Sequence, residues 1–330
     1  MAKARIPLAI GQSLFAAFLV CTAIGLARAE SWPTRPVKVL VPFAAGGNID
    51  VMGRLAASRL SETLGQQFIV ENRVGANGII AAEAVARSAP DGYTLLWAST
   101  SVVAIFPAIT KVAYDPVKSF VPVSLFSVSP QALIVNPKFP AQTVPEFVSY
   151  VKAQKGNLAY AGGGGPGSAS NLVMALFLKR AGLEMSNVSY RGTAPALTDV
   201  IAGHIPTMFI PISEALPQAR AGAVRMLAVS GSARAREAPD VPTIAESGYP
   251  DFQAESWTGM MAPAGTPNEM IERMSAELAR AFKDPQFVAH MHESGVEPAA
   301  DASPQAFAAF IGHEITFWGE AVKVAGVTLQ

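Results

Sequence analysis

From residue 37 onward, short apolar runs alternate with segments whose apolar residues recur at helical spacing. Val37-Lys38-Val39-Leu40-Val41 reads as a buried strand, and a glycine-rich turn leads from it into a helix over Ile49 to Leu64, closed by Gly65. Phe68 to Val70 reads as a strand, Ile79 to Ser88 as a helix, Pro90-Asp91-Gly92 as a turn, and Tyr93 to Ala98 as the next strand. This alternation predicts a mostly parallel sheet with helices on both faces.

A second set begins with a strand over Ala132 to Val135. Thr143-Val144-Pro145-Glu146 has the form of a capping box and opens a helix to about Gln154. Strands follow at Leu158 to Ala161, Val188 to Tyr190, Ile205 to Ile210 and Val224 to Val229, with helices over Ala169 to Ala181 and Ala194 to Ala202. The last third is mainly helical. Thr266-Pro267-Asn268-Glu269 predicts a Thr cap, Pro at the first helical position and a helix to about Phe282, and Ser303-Pro304 opens a final helix through Phe310 and Phe317. A helical tail with few strands packs back on an existing sheet. The expected fold is therefore α/β with two lobes, built from residues 30–126 with 255–330 and from 127–254, with chain crossings near 126 and 254 and a cleft between them.

The first 29 residues are of another kind. Lys3 and Arg5 precede an apolar run from Ile6 to Leu26, which ends at Ala27-Arg28-Ala29. This is the form of a cleaved secretory signal, with cleavage expected after Ala29 and export of the mature chain. A run of about twenty apolar residues can also span a bilayer as an anchor. Cys21 raises a lipoprotein, but Phe18-Leu19-Val20 before it makes a poor lipobox.

The 330-residue chain carries 25 Lys and Arg against 25 Asp and Glu, with 15% charged and 50% hydrophobic residues. Cleavage removes Lys3, Arg5 and Arg28 and no acid, leaving 22 basic against 25 acidic residues, and it removes the one cysteine. A slightly acidic chain offers nucleic acid no surplus of cations. Without a thiol it has no disulfide, cysteine nucleophile or thiolate metal site, so a conventional core must hold it.

Four stretches could carry chemistry. Phe43-Ala44-Ala45-Gly46-Gly47-Asn48-Ile49-Asp50 joins a strand to a helix, where free amides and the positive helix end suit a carboxylate or phosphate. The alternative is a simple tight turn with Asn48 or Asp50 capping the helix, and such loops are common. Gly162 to Ser170, with Gly164, Gly165, Gly167 and Ser168, also lies between strand and helix; it lacks the lysine of a phosphate loop, and its alternative is a flexible linker. Arg191-Gly192-Thr193-Ala194 begins a third helix with Thr193 as the expected cap, and Arg191 is either a carboxylate partner or a solvated strand end. Ser99-Thr100-Ser101 places hydroxyls at the carboxyl edge of the first sheet.

Enzyme signatures are sparse. His204, His290, His292 and His313 lie apart from the glycine loops, and His290 and His292 are not at the i, i+4 spacing of a helical metal pair. Ser149-Tyr150-Val151-Lys152 matches S-x-x-K without the companion motifs, and no G-x-S-x-G or complete dinucleotide fingerprint occurs. No cofactor, metal or catalytic residue is assigned.

Read together, the motifs resemble the Bug-type periplasmic substrate-binding proteins of tripartite tricarboxylate transporters. The matching stretches are Trp32-Pro33 with Arg35-Pro36, Val41-Pro42-Phe43 with Gly46-Gly47 and Asp50, Val70-Glu71-Asn72-Arg73 with Gly75-Ala76 and Gly78, and Ala89 to Leu96. They continue through Tyr190 with Gly192 and Ala194 to Asp199, Ala215 to Gln218, Leu227 to Val229, Pro239 to Thr243, and Ala262 to Pro267. The resemblance implies a two-lobed Venus-flytrap protein, monomeric and not an enzyme, that closes on a small organic carboxylate and delivers it to a membrane permease. It also implies that Phe43 to Asp50 and Gly164 to Ser170 grip the ligand through backbone amides, that Arg191 to Pro195 face them, and that Trp257 either lines the cleft or is a buried hinge aromatic.

The chain departs from the family at Ala45 and Val74, where proline is common, and at Ile205-Pro206 and Ile210, where acids are common. Loss of those acids implies a less acidic pocket, unsuited to a ligand with a free ammonium and suited to an aliphatic or aromatic carboxylate. Two other functions stay open on sequence alone: an exported ligand sensor for a signalling partner, and an α/β hydrolytic enzyme using the same cleft.

Overall fold

One strand runs through the whole arrangement. In the computed structural model, which describes residues 32–43, 45–163, 167–190, 192–250 and 252–327, β4 extends unbroken over Phe120–Val135. The chain divides into two units, Met1–Thr34 and Arg35–Gln330. Of the first, Trp32 to Thr34 are described, with a cis Trp32–Pro33 peptide bond. The segment expected to be a secretory signal thus lies outside the described residues, and every described helix and strand belongs to the second unit.

The strands ahead of β4 are β1 (Val37–Val41), β2 (Phe68–Asn72) and β3 (Thr94–Ser99), and β1 pairs in parallel with both others. Between them lie α1 (Asn48–Leu64) and α2 (Ile79–Ala86). Leu64 ends α1 because Gly65 takes a left-handed conformation and its amide returns to the Ser61 carbonyl. After β3 the backbone makes one wide π turn over Ser101–Ile105 and then a short helix, α3 (Phe106–Ile109).

The later elements are α4 (Val144–Ala153), β5 (Ala159–Gly163), α5 (Ala169–Ala181), β6 (Ser186–Tyr190), α6 (Thr193–Ala202), β7 (Thr207–Pro211), α7 (Ile212–Arg220) and β8 (Arg225–Val229). The chain closes with β9 (Glu255–Pro263), α8 (Asn268–Ala281), α9 (Pro285–Glu293), β10 (Glu297–Pro298) and α10 (Pro304–Ala325). Capping follows the sequence at two helices, where Thr143 accepts from the Glu146 amide and Ser303 from Ala306, and Ser168, not singled out as a cap, accepts from Asn171. It departs at two. The Thr266 hydroxyl donates to the Pro263 carbonyl instead of capping, so α8 starts one residue later, behind Pro267. Gly192, not Thr193, is the cap of α6, and no side chain bonds there.

The expectation of a mostly parallel sheet is overturned. Among the described residues the main sheet has eight strands in the order β10-β4-β9-β3-β1-β2, with β7 and β8 on the far half of β4. Only the β1–β2 and β1–β3 pairs in it are parallel; every pair made by β4 or β9 is antiparallel. The cause is β9, which returns from far along the chain and inserts between β3 and β4. A separate parallel pair joins β5 and β6.

Strand β4 contributes to three buried clusters. Its first half pairs with β9 from Phe120 against Pro263 to Pro130 against Glu255. Its second half is flanked by β7 and β8, with Leu133 and Val135 facing one buried cluster and Ala132 and Ile134 the other. The first of these clusters includes Phe147, Phe177, Phe209 and Trp318. A further cluster, with Leu40, Leu96, Ala98, Trp257 and Phe307, packs under the first half of the sheet. Helix α10 joins the two, since Phe307 and Ile311 belong to the latter and Phe317, Trp318, Ala321 and Val322 to the former.

Where β9 crosses α10 the backbone fits only glycine. A Cβ on Gly259 would stand 2.6 Å from the Phe307 ring and 2.8 Å from the Ser124 carbonyl oxygen, a backbone atom that cannot rotate away. Gly259→Ala is therefore expected to cost about 1–3 kcal/mol through overpacking, read as a lower midpoint of urea unfolding with unchanged secondary structure.

Candidate functional site

The site is built on strand ends and helix starts. A cavity of about 370 Å³ lies on the face of the sheet reached by the first turn of α1. Phe43, Gly47, Asn48, Ile49 and Asp50 border it on that side, and Ser99, Thr100 and Ser101 come from the end of β3 and the π turn. Its other walls are Ser127, Ser129, Ser256, Trp257 and Thr258 from β4 and β9, Pro211, Ser213 and Glu214 from the start of α7, and Val296.

The floor follows from register. Ser99 stands opposite Thr258, and Thr258 opposite Ser127, so three hydroxyl residues form a row across β3, β9 and β4. Ser129 opposite Ser256 makes a second pair two residues along. A register shift in β4 between Leu125 and Ser127 directly precedes the row, as a bulge that re-aims the side chains after it. Ser127 Oγ and Thr258 Oγ1 are 2.8 Å apart, whereas the buried Ser99 Oγ has no protein partner. Thr100 Oγ1 accepts from the Trp257 amide at 2.8 Å and so ties the end of β3 to β9.

The loop before α1 is fixed by Asp50. One carboxylate oxygen accepts from the Gly46 amide and from Arg54 Nε, each at 2.9 Å, and the other from Asn72 Nδ2 at 2.7 Å. Asn72 also donates to the Phe43 carbonyl and accepts from Arg54, which closes the network. Gly46 takes φ +87°, where a side chain would be strained. Burial works to raise the Asp50 carboxyl, but bonds from Arg54, Gly46 and Asn72, with the Arg54 charge, outweigh it and hold it below the ordinary carboxylate value. Asp50 is thus an ionised brace and not an N-cap. The cap is Gly47, and neither Asn48, whose side chain donates to the Ser294 carbonyl, nor Asp50 caps the helix.

Two helix starts without side-chain caps meet the cavity, α1 behind Gly47 and α7 behind Pro211. Each presents first-turn amides with no partner inside the helix and the positive end of its dipole. Among the described lining residues there is no Lys, Arg or His. The arrangement can hold an anion by amides and hydroxyls alone.

Of the residues proposed from sequence, Phe43, Gly47, Asn48, Asp50, Ser99, Thr100 and Ser101 meet at this cavity, while Ala45 and Gly46 sit in the loop beside it. Gly164, Gly165 and Arg191 lie outside the described residues. Gly167, Ser168, Gly192, Thr193 and Ala194 do not line it. A Cβ on Gly167 would meet Ile109 at 2.9 Å, the Ser168 hydroxyl donates to the Gly163 carbonyl, and Thr193 packs against Gly163, so the second loop and the α6 start meet each other. Trp257 borders the cavity from β9, but its indole is buried on the opposite face against Phe307 and Phe310. Ile210 is buried in a core cluster, while Glu214, four residues on, lines the wall.

Sequence reading missed Ser127, Ser129, Pro211, Ser213, Glu214, Ser256, Thr258 and Val296. The alternating Ser127, Ser129 and Ser256, Thr258 pairs were the available signal: small hydroxyl residues two apart, on segments that are otherwise mostly apolar.

Residues 52–327 match the family described as Tripartite tricarboxylate transporter family receptor. Protein BugT of Bordetella pertussis is 35% identical over 92% of this chain and 93% of its own. A Rhodopseudomonas palustris protein solved with adipate is 34% identical, with a TM-score of 0.76, over 90% of this chain and 99% of its own. MatC from Rhodopseudomonas palustris, solved with bound malate, is 35% identical, with a TM-score of 0.73, over 88% of this chain and 100% of its own. The fold is that of the two-lobed periplasmic binding proteins. The chain belongs to the tripartite tricarboxylate transporter receptor family, whose Bug-type members are periplasmic solute-binding proteins and not enzymes.

Removing the brace tests the loop geometry. Asp50→Ala leaves the Gly46 and Asn72 donors without their acceptor and is expected to destabilise the protein by about 1–3 kcal/mol at neutral pH. Because the folded-state pKa is depressed, the contribution of Asp50 is complete above the ordinary carboxylate range and is lost as pH falls through the lowered value. Urea unfolding of wild type and variant should therefore converge in acid.

Proposed function

We propose that this receptor captures a small aliphatic dicarboxylate in the cavity between α1 and α7 and presents it to the membrane permease of a tripartite tricarboxylate transporter. The observation that carries the reading is the pair of uncapped helix starts facing one cavity with no cation among its described lining residues. Each start can take one carboxylate group, and the hydroxyl rows of β3, β4 and β9 can serve the oxygens that point to the floor. That the related R. palustris proteins were solved with adipate and with malate supports the same class.

In this reading the lobes are residues 30–126 with 255–330 and residues 127–254. The strands β4 and β9 form the crossing, and closure brings the start of α5 at Gly167 and Ser168 and the start of α6 at Gly192 to Ala194 toward the ligand. Phe43 to Asp50 and Ser99 to Ser101 hold it from the first lobe. The receptor acts as a monomer, exported by a signal peptide cleaved after Ala29.

Two experiments test this. Thermal melts of residues 30–330 are expected to shift upward with adipate or malate and not with amino acids, since a ligand of the folded state alone contributes about 2.7 kcal/mol at a hundred times its dissociation constant. Melts unmoved by any dicarboxylate would refute the ligand class. Mass spectrometry of the protein recovered from a bacterial periplasm is expected to show Glu30 as the first residue; an intact N-terminus would refute cleavage.

A further inference from the structure

Glu314 is buried near the middle of α10, 4% exposed, and does not touch the cavity. Its Oε2 accepts two indole hydrogen bonds, from Trp257 Nε1 at 2.9 Å and from Trp318 Nε1 at 2.8 Å. The two rings belong to different cores. Trp257 lies in the cluster under the first half of the sheet with Phe307, and Trp318 in the cluster of Phe177 and Phe209. Trp257 is also the residue of β9 between Ser256 and Thr258, the two hydroxyl residues that this strand gives to the cavity floor. Its amide is held in turn by Thr100.

We propose that Glu314 is a positioning residue for the ligand cavity: by accepting both indoles on one oxygen it fixes the floor strand from beneath and ties it to the second core, so that ligand affinity depends on its charge. Bonds from neutral donors to an ionised carboxylate are stronger than those to a neutral acid, and a low-dielectric surrounding enlarges the difference. Protonation of Glu314 therefore loosens both indoles together. Nothing in ligand capture itself requires this acid, which acts wholly through Trp257.

The surroundings suit such a role. Burial raises the Glu314 carboxyl to about 7, against the lowering effect of the Trp318 and Trp257 bonds and with a further rise from the charge of Glu255. The charged groups facing it are Glu255 at the start of β9 and the exposed His313 of α10, whose Nδ1 lies 3.6 Å from Oε1. The site therefore changes charge around neutrality. Because the folded-state pKa is raised, its contribution to stability is greatest below the ordinary carboxylate range and is lost as pH rises through about 7. Ionised Glu314 thus holds the floor more firmly at a cost in global stability.

The test uses tryptophan fluorescence of the ligand-free protein against pH, because both indoles report on Glu314. Wild type is expected to show a transition near neutrality, absent in Glu314→Gln. Trp318→Phe keeps the ring and removes one donor to the anion, so its midpoint should rise by at least about half a pH unit. A transition retained in Glu314→Gln, or a midpoint unmoved in Trp318→Phe, would overturn the proposal. The link to affinity rests on the dicarboxylate function proposed above. Calorimetric binding of adipate is expected to weaken several-fold in wild type from about pH 8 to about pH 6, where the ligand is still ionised, and to stay flat in Glu314→Gln. Equal pH dependence in both proteins would also overturn it. Failure of wild type to bind adipate at either pH would count against the proposed ligand, while the titration, made without ligand, still decides for or against Glu314.

Discussion

The antiparallel pairing of β4 with β9 is the constraint on which the other features depend. Strand β4 is long enough to pair with β9 over its first half and with β7 and β8 over its second, so one continuous backbone enters all three buried clusters. The hydroxyl rows exist only because that pairing puts Ser127 opposite Thr258 and Ser129 opposite Ser256. A slip by one residue would turn these side chains to the far face and bring Val128 and Trp257 to the cavity. The bulge before Ser127 and the glycine at 259 are the local devices that hold this register and let α10 lie close beneath it.

The described lining of the cavity offers an anion no opposite full charge. A buried Arg or Lys would carry a large desolvation cost and, in the empty receptor, would lack a partner. Helix-start amides are neutral, already oriented, and strengthened by the rest of their helix. Asp50 is consistent with this. All its charge is committed to Arg54, Gly46 and Asn72, so it stiffens the loop that presents the amides without competing for them. Glu214 on the opposite wall, in the first turn of α7, favours that helix start and works against a second negative group placed close to it. That balance suits a ligand whose carboxylates are held apart by an aliphatic stem.

Local signals in the sequence carried much of the fold. The caps at Thr143, Ser168 and Ser303 and the left-handed Gly65 each act within four residues, and the helices they bound lie within a few residues of where the pattern puts them. The family followed from ordered motifs along the chain. Non-local pairing was not legible. Pro122 and Pro130 argue against a strand, yet Pro122 sits at a register shift and Pro130 where β9 ends its pairing, the places where a strand tolerates proline. β9 hid because its cavity-facing Ser256 and Thr258 break the apolar run, and α7 because Pro217 lies inside it. Half of the candidate site, its α1 loop and the β3 end, was legible as strand-to-helix turns. The floor and the α7 wall were not, because they depend on which strands become neighbours.

The same pairing explains why a residue far from the ligand can matter to it. Strands β4 and β9 give the cavity its floor, and its hydroxyl rows last only while the two strands keep their register. Helix α10 crosses beneath it with one half in each core, so any bond between that helix and β9 lies on the path by which one core feels the other. A neutral contact there would serve packing alone. Glu314 is instead a buried acid, and burying an acid costs free energy that a Leu or Met at the same place would not. The two indole bonds offset part of that cost, and both end on a single oxygen shared by the two cores. The physical consequence of choosing an acid at this junction is that the stiffness of the floor becomes dependent on its charge.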